Sequence, residues 1–175
     1  MNLQRLFWLI HEQNLADAEA QVRRAAASGP GPALAASACL LGIPCRFDGQ
    51  DRRLRDLDRV LAGVTPIPIC PEVLAGLGTP RAPLVLLGGD GEALLDGQAQ
   101  LVDAEGRDLG GRMREAAAMA VRLVQAAGCQ KVLLKHRSPT CGVAEIRTRP
   151  GVAPGCGVFT AALRRAGIQV VKEER

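Results

Sequence analysis

Aromatic side chains are scarce in this sequence of 175 residues. Phe, Trp and Tyr together make up 2% of it, and Tyr is absent. Because hydrophobic residues still account for 47%, the core must be built from Leu, Val, Ile and Ala, which favours helices packed on a short-stranded sheet. The length suits one domain with a sizeable core and is too short for two.

Long apolar runs and long basic runs are also missing. No stretch approaches the roughly 20 apolar residues of a membrane span, and the patch Leu6–Ile10 gives way to polar residues where a signal peptide would stay apolar. The 22 Lys and Arg exceed the 18 Asp and Glu only slightly, which is typical of a solvated surface. We therefore expect a cytoplasmic protein with no membrane contact and no stable nucleic-acid partner. The sequence does not indicate an oligomeric state.

The six cysteines include no Cys-x-x-Cys pair. The two histidines, His11 and His136, are not in zinc-finger spacing, so a closed four-ligand zinc site is not indicated. In a reducing cytosol six cysteines are not expected to form three disulfides. Metal binding or thiol chemistry is then the leading interpretation for some of them.

The first 32 residues are expected to form a helical extension with a linker. Residues 14–27 have a helical pattern, and Ser28–Pro32 (Ser-Gly-Pro-Gly-Pro) ends it. The working domain is then 33–175. The sequence does not decide whether the extension docks onto a partner or has no role of its own.

From residue 33 onward, apolar runs of strand length alternate with helix-period segments. We predict strands at 34–40, 67–70, 84–87, 131–135 and 168–171, and helices that start near Arg52, contain Met113–Val124 and span Val158–Ala166. Pro68 suits an edge strand or a strand end. This alternation predicts a three-layer, Rossmann-like α/β domain with a short, mostly parallel sheet covered on both faces.

Three cysteines come at the ends of predicted strands, namely Cys39, Cys70 and Cys141. Ligands of open parallel sheets bind beyond the carboxyl ends of the strands, so these thiols are expected to converge. Cys45 is close enough in sequence to reach the same place. Cys129 and Cys156 are interpreted as buried structural thiols, although Cys156 opens a helix, where its pKa could be lowered.

Several separate motifs, in order, carry a resemblance to a known family. They are Ser37–Gly42 (Ser-Ala-Cys-Leu-Leu-Gly), Cys45–Gly49 (Cys-Arg-Phe-Asp-Gly), Cys70–Val73 (Cys-Pro-Glu-Val), Thr79–Arg81 (Thr-Pro-Arg) and Ser138–Gly142 (Ser-Pro-Thr-Cys-Gly). On these residues the chain resembles the thiouracil desulfidases, small bacterial iron–sulfur enzymes, over about 37–171. Their combination is far more specific than any one of them.

The resemblance implies a 4Fe–4S cluster held by Cys39, Cys70 and Cys141, with Cys45 as the substitute for Cys70. Three protein ligands leave one iron open, and that iron would take the sulfur of a thiolated uracil. The implied reaction is a non-redox desulfuration that releases sulfide. Glu72 and Ser138 match motif residues that are catalytic in character.

Each candidate site residue has a functional role and a structural alternative. Glu72 would activate the attacking water, or would only stabilise the first turn of a helix after Pro71. Ser138 would donate a hydrogen bond to the substrate, or would only start a turn. Asp48, Arg81 and Lys135 are the candidate substrate-binding residues. The alternatives are that Asp48 orients Arg46 or forms a turn, and that the other two are solvated charges.

Two features depart from the family pattern. A basic, proline-containing loop at 146–154 replaces the usual aromatic-Asp-Gly loop after the third cysteine, which puts the substrate preference in question and could favour a phosphorylated nucleotide. The chain also has the extension. The competing functions are a non-catalytic iron–sulfur redox sensor and a zinc-thiolate structural protein.

Overall fold

The computed structural model describes residues 2–149 and 151–173. Within these residues the helices are α1 Leu3–His11, α2 Leu15–Ser28, α3 Leu57–Val60, α4 Pro71–Leu74, α5 Gly91–Leu95, α6 Gly110–Ala126 and α7 Val158–Arg165. The strands are β1 Ala33–Ser37, β2 Thr65–Ile69, β3 Val85–Leu87, β4 Gln100–Val102, β5 Lys131–Leu134, β6 Glu145–Arg147, β7 Val152–Pro154 and β8 Gln169–Lys172.

Four parallel strands form the main sheet, in the order β2-β1-β5-β8. In its register Ala35 of β1 lies opposite Ile67 of β2 on one side and Val132 of β5 on the other. The strand that contains Pro66 and Pro68 is an edge strand, as Pro68 predicted, because an edge leaves one row of backbone positions without ladder partners. The predicted α/β fold with a short parallel sheet flanked by helices is confirmed.

Successive residues of β1 point to opposite faces of the sheet. Ala35 packs in the larger core with Val22 of α2, Leu123 of α6 and Phe159 of α7. On the other face, Ala36 packs in a smaller core with four leucines, Leu41, Leu54, Leu57 and Leu61. The sheet is therefore covered on both faces, as expected for parallel strands.

The N-terminal residues form two helices that join this core. Asn14 caps α2 by accepting a hydrogen bond from the Asp17 N–H at 3.1 Å, which agrees with the predicted helix over 14–27. Helix α1 contains the apolar patch Leu6–Ile10. Leu6 and Ile10 of α1 are buried in the same core as the strands, so the segment before residue 33 packs on the domain.

The strand predicted over 34–40 ends at Ser37, and Ala38–Leu41 form a 3₁₀ helix instead. Two further predicted elements differ from the structure. The run 84–87 forms β3, but β3 pairs antiparallel with β4 outside the main sheet, because the chain returns through only the five-residue α5 and does not cross a sheet face. The helix expected from Arg52 begins at Leu57. The N–H groups of Arg52 and Leu54 instead donate to the carbonyls of Cys39 and Leu40, at 2.8 and 3.1 Å.

The strands β6 and β7 form an antiparallel hairpin in the basic loop. Within the described residues, none of the helices has the length and apolar character that a membrane crossing requires.

Candidate active site

Three predicted ligands lie just beyond the carboxyl ends of three neighbouring strands. Cys39 is in a short 3₁₀ helix, Ala38–Leu41, after β1, Cys70 follows β2 directly, and Cys141 is in the loop after β5. Because β2, β1 and β5 are adjacent and parallel, these ends share one edge of the sheet. The three cysteines and Cys45 line a single cavity of about 150 Å³.

Cys45 lies between two of these cysteines. Its thiol is within hydrogen-bonding reach of Cys39 and Cys70, and those contacts, together with burial, raise the pKa of Cys45 far above its usual value. The same contact from Cys45 lowers the pKa of Cys70, against the effect of burial. The structure therefore brings Cys45 to the site beside Cys70, and both remain candidates for one ligand position.

Cys141 is held by a tight turn that begins at Ser138. The Ser138 hydroxyl oxygen accepts hydrogen bonds from the N–H groups of Thr140 and Cys141 at 3.1 and 3.0 Å. Burial raises the pKa of Cys141 well above its usual value, although the Ser37 side chain acts in the opposite direction. A Cβ at Gly157 would lie 2.3 Å from the Thr140 carbonyl carbon, so this glycine lets α7 start directly against the turn.

Glu72 presents its carboxylate at the cavity, with both oxygens engaged. Oε2 accepts hydrogen bonds from Nε of Arg81, at 2.8 Å, and from Nη2 of the same side chain. Oε1 accepts the hydroxyl hydrogen of Thr140 at 2.8 Å. The carboxylate is therefore held by the chain after β2 and by the loop after β5. These contacts are additional to its location in the first turn of α4.

Arg81 holds the carboxylate of Glu72 in place, a role that the sequence did not indicate. Besides Glu72 it binds the carbonyls of Cys45 and Gly78, each at 3.1 Å. Although burial lowers it, the pKa of Arg81 is raised by the charge of Glu72 and by the neighbouring thiols. Most of its donors are thus committed to the protein, whereas it had been expected to bind substrate.

The other two candidate substrate-binding residues differ in position. Lys135 lines the cavity, and its Nζ donates to the His136 carbonyl at 2.9 Å. Asp48 is not among the cavity-lining residues. Its carboxylate accepts from Nη2 of Arg46 at 2.8 Å and from the Gln50 N–H at 3.2 Å, so within the described residues it orients Arg46, one of the alternatives that the sequence had left open.

The cavity carries a strongly positive lining. Its basic residues are Arg46, Arg81, Lys135, Arg137 and Arg147, and Glu72 is the acidic residue that lines it among the described residues. The Nε atom of Arg46 is buried and has no hydrogen-bond partner within the described part of the chain. Arg46, Arg137 and Arg147 are not among the predicted site residues, and the basic character of the loop 146–154 pointed towards Arg147 alone.

Helix α1 lies against the thiols and was not anticipated there. Its Phe7 and Trp8 pack with Cys39, Cys45 and Cys70. Nε2 of His11 accepts the Cys70 N–H at 3.0 Å, while Nδ1 lies 2.7 Å from the Phe7 carbonyl. Burial lowers the pKa of His11 to about 4, so the ring is neutral at neutral pH and can accept at one nitrogen.

The two remaining cysteines do not line the cavity. Cys129 is buried in the larger core, and burial raises its pKa to about 11. Cys156 lies beside the carboxylate of Asp90, and burial and that charge raise its pKa to about 11. The structural role expected for both agrees with these positions, and the lowered pKa considered for Cys156 is wrong.

Within residues 2–149 and 151–173, no group of three or more His, Cys, Asp and Glu side chains is arranged to hold a metal ion. The donor set at the cavity is nevertheless distinctive, since it consists of four thiols from three strand ends. Thiolates are the ligands of iron–sulfur clusters. In chemical type these residues fit such a cluster.

The fold and site together define an α/β protein with a thiol-lined, positively charged cavity at the carboxyl edge of a parallel sheet. The sequence model of the 2-thiouracil desulfurase family matches residues 34–175. The chain belongs to this family. The matched segment leaves the first 33 residues, with α1 and α2, outside it.

Two individual proteins are similar to this chain over most of its length. The uncharacterized protein YbbK of Bacillus subtilis (strain 168) is 36% identical over 140 residues, which cover 78% of this chain and 93% of YbbK. A solved structure of a 4Fe–4S-dependent thiouracil desulfidase, TudS, superposes with a TM-score of 0.70 and is 36% identical. That match covers 81% of this chain and 91% of TudS.

Proposed function

We propose that this protein is a desulfidase that converts a thiolated uracil compound and water into the corresponding uracil compound and hydrogen sulfide, without net redox change. The observation that carries this proposal is the meeting of strand-end thiols with an oriented carboxylate, Glu72, in one cavity. Membership of the 2-thiouracil desulfurase family supports the same reaction.

Three of the thiols would hold a 4Fe–4S cluster. Cys39, Cys70 and Cys141 are the proposed ligands, because each lies beyond the end of a different strand, and Cys45 is the alternative to Cys70. The dependence of TudS on such a cluster supports this choice of cofactor. When bound, the cluster supplies an iron without a protein ligand, a Lewis acid suited to thiocarbonyl sulfur.

Glu72 is the proposed acid/base group. Arg81 and Thr140 both donate to its carboxylate, and a carboxylate placed in this way can accept a proton from an attacking water. Its direction is fixed from two sides, so the proton is taken at a defined place. Returning that proton to the departing sulfur would complete the cycle and restore the carboxylate.

Ser138 is the proposed hydrogen-bond donor to the substrate. Its oxygen already accepts two backbone N–H groups, and these bonds leave the hydroxyl hydrogen uncommitted. The side chain lines the cavity. A donor in this position can stabilise negative charge that develops on the ring during water addition.

The substrate is proposed to carry a phosphate. Five basic side chains line the cavity, and three of them form ion pairs: Arg81 with Glu72, Arg46 with Asp48 and Arg137 with Glu145. Within the described residues, Lys135 and Arg147 have no acidic partner and are the cations proposed to receive the phosphate. Lys135 keeps further ammonium donors beyond its one bond to a carbonyl. Such a lining stabilises a phosphorylated thiouridine better than an uncharged base, because phosphate accepts several charge-assisted hydrogen bonds.

The test is sulfide release by protein reconstituted with iron and sulfide without oxygen. Candidate substrates are 2-thiouracil, 4-thiouracil, 4-thiouridine and 4-thiouridine monophosphate, with Cys129→Ser as the control that should retain full activity. We expect sulfide release from a 4-thiouridine compound, and we expect the KM to be lowest for the monophosphate. A brown protein that turns over none of them would indicate a cluster-based sensor, and a colourless protein with stoichiometric zinc would reject the proposal.

A further inference from the structure

Aromatic residues are concentrated around the thiols. The sequence has three Phe and one Trp. Phe7 and Trp8 pack on the thiols from helix α1, and Phe47 lines the cavity from the loop after Cys45. Only Phe159 belongs to the larger core. A chain this poor in aromatic side chains has thus placed three of four at one site.

The contact from α1 is both apolar and specific. The Phe7 ring is fully buried and lies 4.0 Å, between centroids, from the His11 ring. The His11 ring in turn joins two backbone groups, the Phe7 carbonyl of its own helix and the Cys70 N–H at the end of β2. A neutral imidazole that donates at Nδ1 and accepts at Nε2 satisfies both bonds.

These contacts come from residues outside the segment that matches the family, 34–175. Residues that surround a metal site orient its ligands and control the access of solvent. Cys70 is the N-cap of the one-turn helix α4, which has no side-chain cap, and its own N–H is accepted by His11.

We propose that α1 forms one wall of the cysteine site, in which His11 is a positioning residue for Cys70 while Phe7 and Trp8 keep water and dissolved reagents from the thiols. The inference rests on the proposed function only for the identity of the group that the thiols bind, the 4Fe–4S cluster. The wall itself belongs to the protein with or without a cluster.

The first test uses the full-length, metal-free protein and measures the alkylation rate of each cysteine by mass spectrometry. In His11→Leu the Cys70 N–H loses its acceptor, and we expect Cys70 to react about tenfold faster, in line with an unsatisfied, partly buried donor. Cys141, which follows β5 and has no hydrogen bond to His11, should keep its rate. In His11→Gln an amide oxygen can replace Nε2, so the rate of Cys70 should return towards that of the parent.

Val22→Ala is the matched control for general destabilisation. Val22 is fully buried on α2 in the larger core and does not line the cavity, so its truncation should raise the rates of all buried cysteines together. A selective rise at Cys70 in His11→Leu supports the wall. An unchanged rate in His11→Leu, an equal rise in His11→Gln, or the same selective rise in Val22→Ala would overturn it.

A second measurement separates this inference from the proposed function. The decay of the visible absorption of the reconstituted protein in air should be several-fold faster in Trp8→Ala and His11→Leu than in Val22→Ala. If the alkylation pattern holds but no cluster forms in the parent protein, the wall stands and the proposed cofactor is wrong. If the parent forms a cluster and turns over while alkylation and decay are unchanged, only the wall is wrong.

Discussion

Thr140 donates its hydroxyl hydrogen to Oε1 of Glu72 at 2.8 Å, across 68 positions of sequence. Thr140 is fully buried and immediately precedes Cys141, and Glu72 follows Cys70 by two residues. One hydrogen bond therefore ties the proposed base to the loop that carries a proposed cluster ligand. The orientation of the base and the position of the ligand are set together.

Replacing Thr140 by Val should loosen Glu72 without changing the shape of the loop. We expect turnover to fall about tenfold, because a hydrogen bond to a charged group is worth about 1.5–3 kcal/mol and part of it is replaced by Arg81. Thr140→Ser should restore most of the rate. Iron content, measured alongside, should stay at the parent level in both variants. Equal turnover in the Val and Ser variants would contradict this role.

Replacing Glu72 by Gln tests proton transfer directly. The variant should keep its cluster and still change its absorption spectrum when substrate is added, but turn over more slowly by about 10² to 10⁴, the range for loss of a general acid/base. Glu115→Gln, at an exposed position of α6, is the control. Near-normal turnover in cluster-loaded Glu72→Gln would move the proton-transfer role to another group, with Ser138 the first to examine.

Single Ser substitutions of the cysteines test the ligand set. Cys39, Cys70 and Cys141 should each be required for full iron content and for activity, whereas Cys129→Ser should affect neither. Cys45→Ser tests whether Cys45 or Cys70 is the third ligand. We expect it to retain the cluster, and loss of iron in Cys45→Ser with full iron in Cys70→Ser would exchange the two assignments.

The phosphate preference predicts a selective effect of Lys135. In Lys135→Ala the KM for 4-thiouridine monophosphate should rise by about tenfold or more, since a charge-assisted contact is worth about 1.5–3 kcal/mol, while the KM for 4-thiouridine should change little. Lys131→Ala, exposed at the start of β5, is the matched control. Equal changes for nucleoside and nucleotide would remove Lys135 from phosphate binding.

Asp103 should make part of the stability dependent on pH. Burial raises its pKa, but the bonds from Arg107 outweigh burial and leave the pKa below its usual value. A carboxyl with a lowered pKa contributes stability above the unfolded pKa, about pH 4, and this contribution is lost as pH falls through the folded pKa. Asp103→Asn should thus be less stable than the parent above pH 4 and converge with it in acid.

Urea unfolding at a series of pH values measures this difference. The control is Asp58→Asn, which makes the same substitution at a side chain that is 98% exposed. A constant stability difference between Asp103→Asn and the parent at every pH would contradict the assignment.

Strand ends were the part of the site that the sequence could predict. Apolar runs followed by cysteine placed Cys39, Cys70 and Cys141 at one edge of a parallel sheet, and the structure brings them to one cavity. The prediction succeeded because the carboxyl ends of adjacent parallel strands lie at the same edge of the sheet. The proline-containing edge strand could be predicted for a similarly local reason.

Contacts between distant segments could not be predicted. The bonds from Thr140 to Glu72 and from His11 to Cys70 join residues 68 and 59 positions apart, and no local pattern marks either pair. Similarly, the apolar pattern of β3 indicates a strand but not its partner, so its departure from the main sheet had no sequence signature. Only the tertiary arrangement decides such pairings.

The most direct test of the central claim is a mass balance in water labelled with a heavy oxygen isotope. Reconstituted protein, without added oxidant or reductant, should convert a thiolated uracil compound into a product that carries the label at the former sulfur position. It should release one sulfide for each product formed. A product without the label, or a requirement for an electron donor or acceptor, would contradict a non-redox desulfuration.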